Sequence, residues 1–363
     1  MLGWNKMSNH LKFLIFVFII IACTKKDKEY NESSETIYSI DETNNNILIG
    51  SFTADYKNVW DVWILKLDNQ RNIIWQNLFR ANHFPTYFAP IVVKVVNDSG
   101  FVVLAGDKFL KFNKEDNFQF KIDSFCSCIL DLKYISEFSN GDYLVVGQIN
   151  SGGYIFVDEN FFVARINKDG NLVWKKEIGS GLYEEYVIFS DVINDNIVIL
   201  QYKISNLQSK YIEILKLDQN GNILGKILRD LDSSYNLSKA LYLNNMFFIV
   251  GSAYNKGLFL VMDSLGNVLY SKNYNVEKIL GIIKLNNDSS FLIHNFNFVS
   301  KINIYGDIDW FKIFSENILT AKFLSNNSIL LGGEKISNNG STDGYLINLD
   351  LNGNENWQMI LKP

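Results

Sequence analysis

The 363-residue sequence predicts an all-β protein, a seven-bladed β-propeller with four antiparallel strands per blade. Three observations predict it. First, a short motif recurs seven times: an Asp or Asn, a second Asn or Asp four positions on, then a large side chain three positions further. The first pair reads Asp68 and Asn72, Asn113 and Asn117, Asn167 and Asn171, Asp218 and Asn222, Asp263 and Asn267, Asn303 and Asp307, Asp350 and Asn354. The third position reads Trp75, Phe120, Trp174, Gly225, Tyr270, Trp310 and Trp357, so only Gly225 departs from an aromatic. Second, Asp68 and Asp350 are 282 residues apart over six steps, an average of 47, and a period of roughly 40–50 residues marks propeller blades or helical arrays. Third, the segments between motifs are short, β-branched and aromatic, which is strand chemistry. Several are apolar on successive residues, as expected where both faces of a sheet are covered.

The chain begins with a leader. Lys6, His10 and Lys12 precede the apolar run Phe13 to Ala22, too short for a span of about 20 residues but suited to a signal-peptide core. The run ends in Ile20-Ile21-Ala22-Cys23, which resembles the lipobox of bacterial lipoproteins. That resemblance implies cleavage after residue 22 and a lipid on Cys23. Thr24 after the cysteine then implies the outer membrane, and the absence of paired acids directly after it points to a periplasmic body. Residues 23 to 35 form the anchor and a charged, aperiodic tether. Net charge is −5, and −7 once Lys6 and Lys12 leave with the leader, so no basic field for nucleic acid is expected.

Residues 36 to 363 are assigned to the propeller, each blade dividing into strands a to d. Blade one takes Thr36–Ile40, Ile47–Phe52, Trp60–Leu67 and Ile73–Phe79; blade two takes Ile91–Val96, Phe101–Ala105, Lys108–Phe112 and Phe118–Ile122. Blade three takes Leu130–Phe138, Asp142–Ile149, Phe161–Ile166 and Leu172–Ile178; blade four takes Tyr186–Ile193, Ile197–Lys203, Tyr211–Leu217 and Ile223–Leu228. Blade five takes Leu237–Leu243, Met246–Ser252, Leu258–Met262 and Val268–Tyr274; blade six takes Lys278–Leu285, Ser290–Asn295, Phe298–Ile302 and Ile308–Phe314. Blade seven takes Ile318–Leu324, Ile329–Gly333, Tyr345–Leu349 and Glu355–Leu361. Each motif is a c–d hairpin, and the glycine in five of them, such as Gly170, sits where the turn needs a positive φ. Because the frame opens on an a strand and ends on a d strand, no exchanged strand is expected to close the ring.

The repeat resembles bacterial propellers whose blades carry a [KR]-[LI]-[DN]-x-x-G-N-x-x-W hairpin. These include secreted Bacteroidota propellers and, more distantly, quinoprotein-like propellers, in which the tryptophan docks the blades. Trp75, Trp174, Trp310 and Trp357 are accordingly assigned a structural role. The resemblance stops at the blades, since no cofactor residues carry over, and no cofactor is expected.

Alternating strands sort the turns onto two ends. The short a–b and c–d turns share one end, which reads as scaffold. The variable b–c and d–a connections occupy the other, and function in repeat folds usually rides on such insertions. Arg80 to Pro90 contains His83, Phe84, Tyr87, Phe88 and two of the three prolines. Rigid aromatics beside a polar group suit recognition, and the competing reading is a lid packed on blades one and two. Tyr154, Phe156, Tyr183, Glu184 and Glu185 extend the candidate patch.

Other candidates are structural in first reading. Lys66, Lys111, Arg165, Lys216 and Lys301 stand two residues before their motifs and are expected to pair across strands or lie over neighbouring aromatics. Asp350, Asn352 and neighbouring oxygens resemble the start of a calcium loop, but Met359 stands where the bidentate glutamate belongs, so no metal is assigned. Cys126 and Cys128 fit either two buried thiols or a strained disulfide. No nucleophile elbow or metal-protease motif is present. The expected function is a membrane-anchored, non-catalytic binding or scaffold propeller of the cell envelope. It is expected to be monomeric and to engage another envelope protein or a glycan; the lipoprotein propeller of the outer-membrane barrel-assembly machine resembles it in anchor and shape. The alternative is a glycan hydrolase or lyase using carboxylates around the channel.

Overall fold

The computed structural model describes residues 34–43, 45–54, 60–80, 91–123, 125, 129–150, 160–179, 183–205, 207–285, 289–337 and 340–362. Their strands pair into seven four-stranded antiparallel sheets. Blade one holds β1 to β4 (Ser34–Thr43, Asn46–Ala54, Trp60–Leu67, Ile73–Arg80) and blade two β5 to β8 (Ile91–Val95, Phe101–Ala105, Lys108–Phe112, Phe118–Ile122). Blade three holds β9 to β12 (Ile129–Glu137, Tyr143–Asn150, Phe161–Ile166, Leu172–Ile178) and blade four β13 to β16 (Tyr183–Ile193, Asn196–Ser205, Lys210–Leu217, Ile223–Leu231). Blade five holds β17 to β20 (Asn236–Leu243, Met246–Ala253, Lys256–Asp263, Val268–Tyr274) and blade six β21 to β24 (Gly281–Lys284, Ser290–His294, Phe298–Asn303, Ile308–Ile313). Blade seven holds β25 to β28 (Asn317–Phe323, Ile329–Ile336, Thr342–Leu349, Glu355–Leu361). The expected strands are all present. The inner strand of blade six starts at Gly281 instead of Lys278, since Ile279 and Leu280 give their N–H groups to Gly251 and His294 outside a ladder.

Among the described residues every sheet keeps sequence order and no strand is exchanged to close the ring. Closure comes from side chains. Seven apolar clusters occur, one at each interface between adjacent blades, and the cluster at the seam joins Ile37, Ile40, Ile49 and Trp63 of blade one to Leu324, Leu330 and Leu346 of blade seven. Thr36 Oγ1 also donates to Glu334 Oε2 across the seam at 2.6 Å. The a strands pack on one another around the axis, β1 against β5 and β25, β13 against β9 and β17. Strands b and c are buried on both faces, as in β6 and β11, whereas d strands alternate toward solvent, as in β12. Double burial therefore holds for the middle of each blade and lapses at its rim.

The c–d turns explain the motif. In blade one Asp68 N donates to Asn72 O at 3.0 Å, and Asp68 Oδ1 accepts the Asn72 N–H at 2.8 Å. Asn72 Nδ2 closes the pair on Asp68 Oδ2 at 3.0 Å. Position one must therefore offer a side-chain oxygen, and position five profits from an amide. Glycine between them takes φ of +89° at Gly170 and +81° at Gly353, while Arg71 and Asp116 accept φ of 72° and 65° without being glycine.

Positive φ is half of the glycine's role. A Cβ on Gly170 would lie 2.6 Å from the Phe120 ring of the preceding blade, and one on Gly353 2.9 Å from Trp310. The repeat aromatic of each filled blade docks on its successor: Trp174 Nε1 donates to Gln219 O at 2.8 Å and Trp310 Nε1 to Leu351 O at 2.9 Å. Tyr270 likewise donates to Ile304 O. Trp75 meets Phe101 and Phe112 edge-on at 5.6 Å, and Trp357 carries the guanidinium of Arg71 at 5.4 Å across the seam. Such ring pairs contribute about 0.5–1.5 kcal/mol each beyond the area they bury.

Candidate functional site

His83, Phe84, Tyr87 and Phe88, in segment 81–90, and Tyr154, in segment 151–159, lie outside the described residues, as do Cys23, Cys126 and Cys128. Tyr183 is described. It opens β13 on the b–c and d–a end, half-buried, and packs edge-on against Tyr211 with centroids 5.5 Å apart. Lys203 Nζ lies 4.9 Å from its ring.

Beneath Tyr183 lies a charged cluster built by strand register. Glu185 pairs with Lys203, Lys203 with Tyr211, and Gln201 with Glu213. The two-residue period of a strand then sets Tyr183, Glu185, Gln201, Lys203, Tyr211 and Glu213 on one face. Lys203 Nζ sits 2.7 Å from Glu185 Oε1 and 3.2 Å from Glu213 Oε2, and Lys226 reaches Glu213 Oε1 at 2.8 Å. Gln201 also donates to Glu213, and Gln148 of blade three donates to the Glu185 carbonyl. Glu185 is 0%, Glu213 2% and Lys203 3% exposed. Two carboxylates and two ammonium groups balance, which is what buried charge requires. Of these residues the sequence patch contained Tyr183 and Glu185 alone. Lys203 and Glu213 announce themselves only as charges inside the apolar runs of β14 and β15.

At the opposite end, carboxylates stitch neighbouring blades. Glu42 accepts from the N–H and hydroxyl of Ser325, both at 2.7 Å, and Glu137 accepts from Asn97 N at 2.8 Å. Asp195 accepts from Ser139 N and Oγ at 3.1 and 2.7 Å, which hold its pKa below the usual carboxylate range. In each case an acid near one a–b turn takes the first turn residue of the preceding blade. Asp41 joins three blades, accepting Val95 N at 2.7 Å and pairing with Lys322 Nζ at 2.5 Å.

Lys239 on β17 keeps solvent-reachable surface yet is surrounded by protein, which lowers its pKa, and its charge reaches His294 of blade six. His294 is buried on β22 with its ring against Gly281. Burial first, then the nearby Lys239 charge, push it down to about 3, so its imidazole is neutral. The Tyr134 hydroxyl donates to Val187 O at 3.2 Å, and burial raises its pKa. Among the described residues no group of three or more His, Cys, Asp or Glu side chains is placed to hold a metal. In the turn read as a calcium-loop start, Asp350 spends Oδ1 on Asn352 N and Asn354 N and Oδ2 on the Asn354 amide.

The cation series mostly pairs as expected, with partners also on neighbouring blades. Lys66 meets Asp116 of blade two, Lys111 meets Asp98 at 2.7 Å, Arg165 meets Asp142 at 2.7 Å and Lys301 meets Asp309 at 3.2 Å. Lys216 departs from the series.

No protein-family model and no curated protein matches the sequence. Solved structures do match in shape. A protein of unknown function from Bacteroides caccae is 12% identical, with 72% of this chain and 94% of that one covered and a TM-score of 0.51. A streptogramin B lyase is 14% identical over 81% of this chain and 89% of its own, at 0.52. The Pan2 WD40 domain of Neurospora crassa is 11% identical over 85% and 89%, also at 0.52. These likenesses establish the propeller fold and no activity, because unrelated functions share it.

Proposed function

We propose that this chain is a membrane-anchored, non-catalytic binding or scaffold propeller of the bacterial envelope. Cys23 carries the lipid, residues 24 to 35 space a periplasmic body from the outer membrane, and the body is a monomer. Its partner is an envelope protein engaged by the b–c and d–a end, through His83, Phe84, Tyr87, Phe88, Tyr154 and Tyr183.

The observation that carries this is the state of the charges beneath that end. Glu185 and Glu213 approach one lysine, yet both are buried and held by Lys203 and Lys226. A glycosidase pair flanks an open sugar site, whereas a buried, compensated cluster makes a stiff base beneath Tyr183. Stiff aromatics on a fixed base suit recognition, because little freedom is lost on binding.

The test is capture from envelope extract by the detergent-solubilised full chain, compared with the chain carrying His83, Phe84, Tyr87 and Phe88 as alanine. A protein captured by the first and not by the second, with both equally folded, supports the reading. Release of glycan fragments by the wild-type chain would replace it with the hydrolase or lyase alternative. Cys23→Ser should move the chain from the membrane to the soluble fraction; unchanged membrane retention refutes the anchor.

A further inference from the structure

Blade four breaks the repeat at Gly225, and the break leaves a cleft. In six blades the aromatic stands directly across the ladder from the c-strand residue two before the motif, as in Lys66 and Trp75, Arg165 and Trp174, or Lys301 and Trp310. In blade four that pair is Lys216 and Gly225. A Cβ built on Gly225 meets nothing within 4 Å among the described residues. The space continues into a cleft of about 370 Å³ between blades four and five, lined by Lys216, Ile227, Tyr242, Phe247 and Ser264 among others. At the seam, where Trp357 is present, the corresponding cleft measures about 160 Å³.

Three features of a filled slot survive without its occupant. The apolar floor is there, with Tyr242 and Phe247 in mutual contact at 4.7 Å. The acceptor is there: Trp174, Tyr270 and Trp310 donate to the residue following the first motif residue of the next blade, and in blade five that residue is Ser264, which lines the cleft. The cation is there as well, but uncovered. Lys66, Lys111 and Arg165 are 5%, 3% and 8% exposed and paired, whereas the Lys216 side chain is exposed and makes no hydrogen bond or ion pair among the described residues. Arg229 and Ile227 still cover the turn at Gly266, so the vacancy is confined to the aromatic's own place.

We propose that this cleft receives a tryptophan-class side chain from a partner polypeptide, with a carboxylate next to that aromatic seated on Lys216. The ring would lie on Tyr242 and Phe247 and donate its N–H to the Ser264 carbonyl. A polypeptide is the source because in the filled slots the partly buried ring arrives on a backbone strand, as for Trp75, Trp174, Trp310 and Trp357. This extends the binding reading to the end opposite the loop face and does not require that face to be correct.

The probe is an acidic decapeptide of Glu, Ser and Gly around one 5-fluorotryptophan, titrated into the detergent-solubilised full chain and followed by fluorine NMR. Line broadening is expected with the wild type. Gly225→Trp, which supplies the missing ring, should abolish it while retaining the unfolding temperature. Lys216→Glu is an exposed change that keeps the fold whatever Gly225→Trp does, and it should weaken binding about tenfold. Absence of broadening, or broadening unchanged in Lys216→Glu, overturns the proposal. Equal binding of free N-acetyl-5-fluorotryptophan overturns the polypeptide source. If the peptide fails while envelope capture persists, this site is wrong and the loop face stands; if the peptide binds while capture fails, the reverse holds.

Discussion

Substituting Gly170 by alanine should destabilise the ring through two separable costs. The first is backbone: φ of +89° places an alanine in the left-handed region, at about 1–2 kcal/mol. The second is contact: the new Cβ would stand 2.6, 2.7 and 2.9 Å from atoms of the Phe120 ring, and overpacking of that kind costs about 1–3 kcal/mol. Gly340 provides the control. Its turn has the same bonds, Ser337 N to Ser341 O at 2.9 Å and Gly340 N to Ser337 O at 3.0 Å, matching Asn167 N to Asn171 O and Gly170 N to Asn167 O. Its φ is +87°, and among the described residues nothing lies within 4 Å of its Cβ position. Urea unfolding followed by tryptophan fluorescence should give a loss of about 1–2 kcal/mol for Gly340→Ala and about 2–5 kcal/mol for Gly170→Ala. Equal losses would refute the claim that the motif glycine exists to admit the preceding blade's aromatic.

Three other outcomes are expected. Asp116→Asn tolerates the positive φ but removes the charge facing Lys66, which is 5% exposed; unfolding should register a loss of about 3 kcal/mol or more, largely recovered by adding Lys66→Met. Lys203→Met leaves Glu185 and Glu213 without their shared cation and should cost about 3–5 kcal/mol in the same assay, with a loss below 1 kcal/mol contradicting the cluster's role. Stability should fall with acid in two windows. Burial pushes the folded His294 down to about 3 against about 6.5 unfolded, so between those values the unfolded chain holds the extra proton and stability drops by about 1.4 kcal/mol per pH unit from pH 6.5 down to about 3. Asp68, Asp218, Asp263 and Asp350 have folded pKa values lowered by their motif asparagines, so their contribution is present above the unfolded carboxylate range and is lost as pH falls below it. In His294→Leu the upper window should vanish and the lower remain; a thermal melt series against pH reads both.

Fold and site differ in how far they can be read from the chain. The c–d turn is legible because it is local: Asp68 bonds Asn72 four residues away, and the aromatic three residues on has a fixed direction on its strand. Seven such turns at an average spacing of 47 residues fix strand number, blade number and the unexchanged frame. Gly225 was equally visible as a departure, but its consequence was not. That an absent side chain leaves a cleft with a free Lys216 depends on Tyr242, Phe247 and Ser264 of the next blade. The same limit applies to Glu185 and Glu213, 28 positions apart and joined through Lys203 on the strand between them. The end reading as plain scaffold also proved to carry the inter-blade acids Glu42, Glu137 and Asp195. The blades are written into the chain because turn bonds and strand period act over a few residues. Which charges are buried, which are bridged and which slot stands open depend on contacts between blades, and so emerge when the ring assembles.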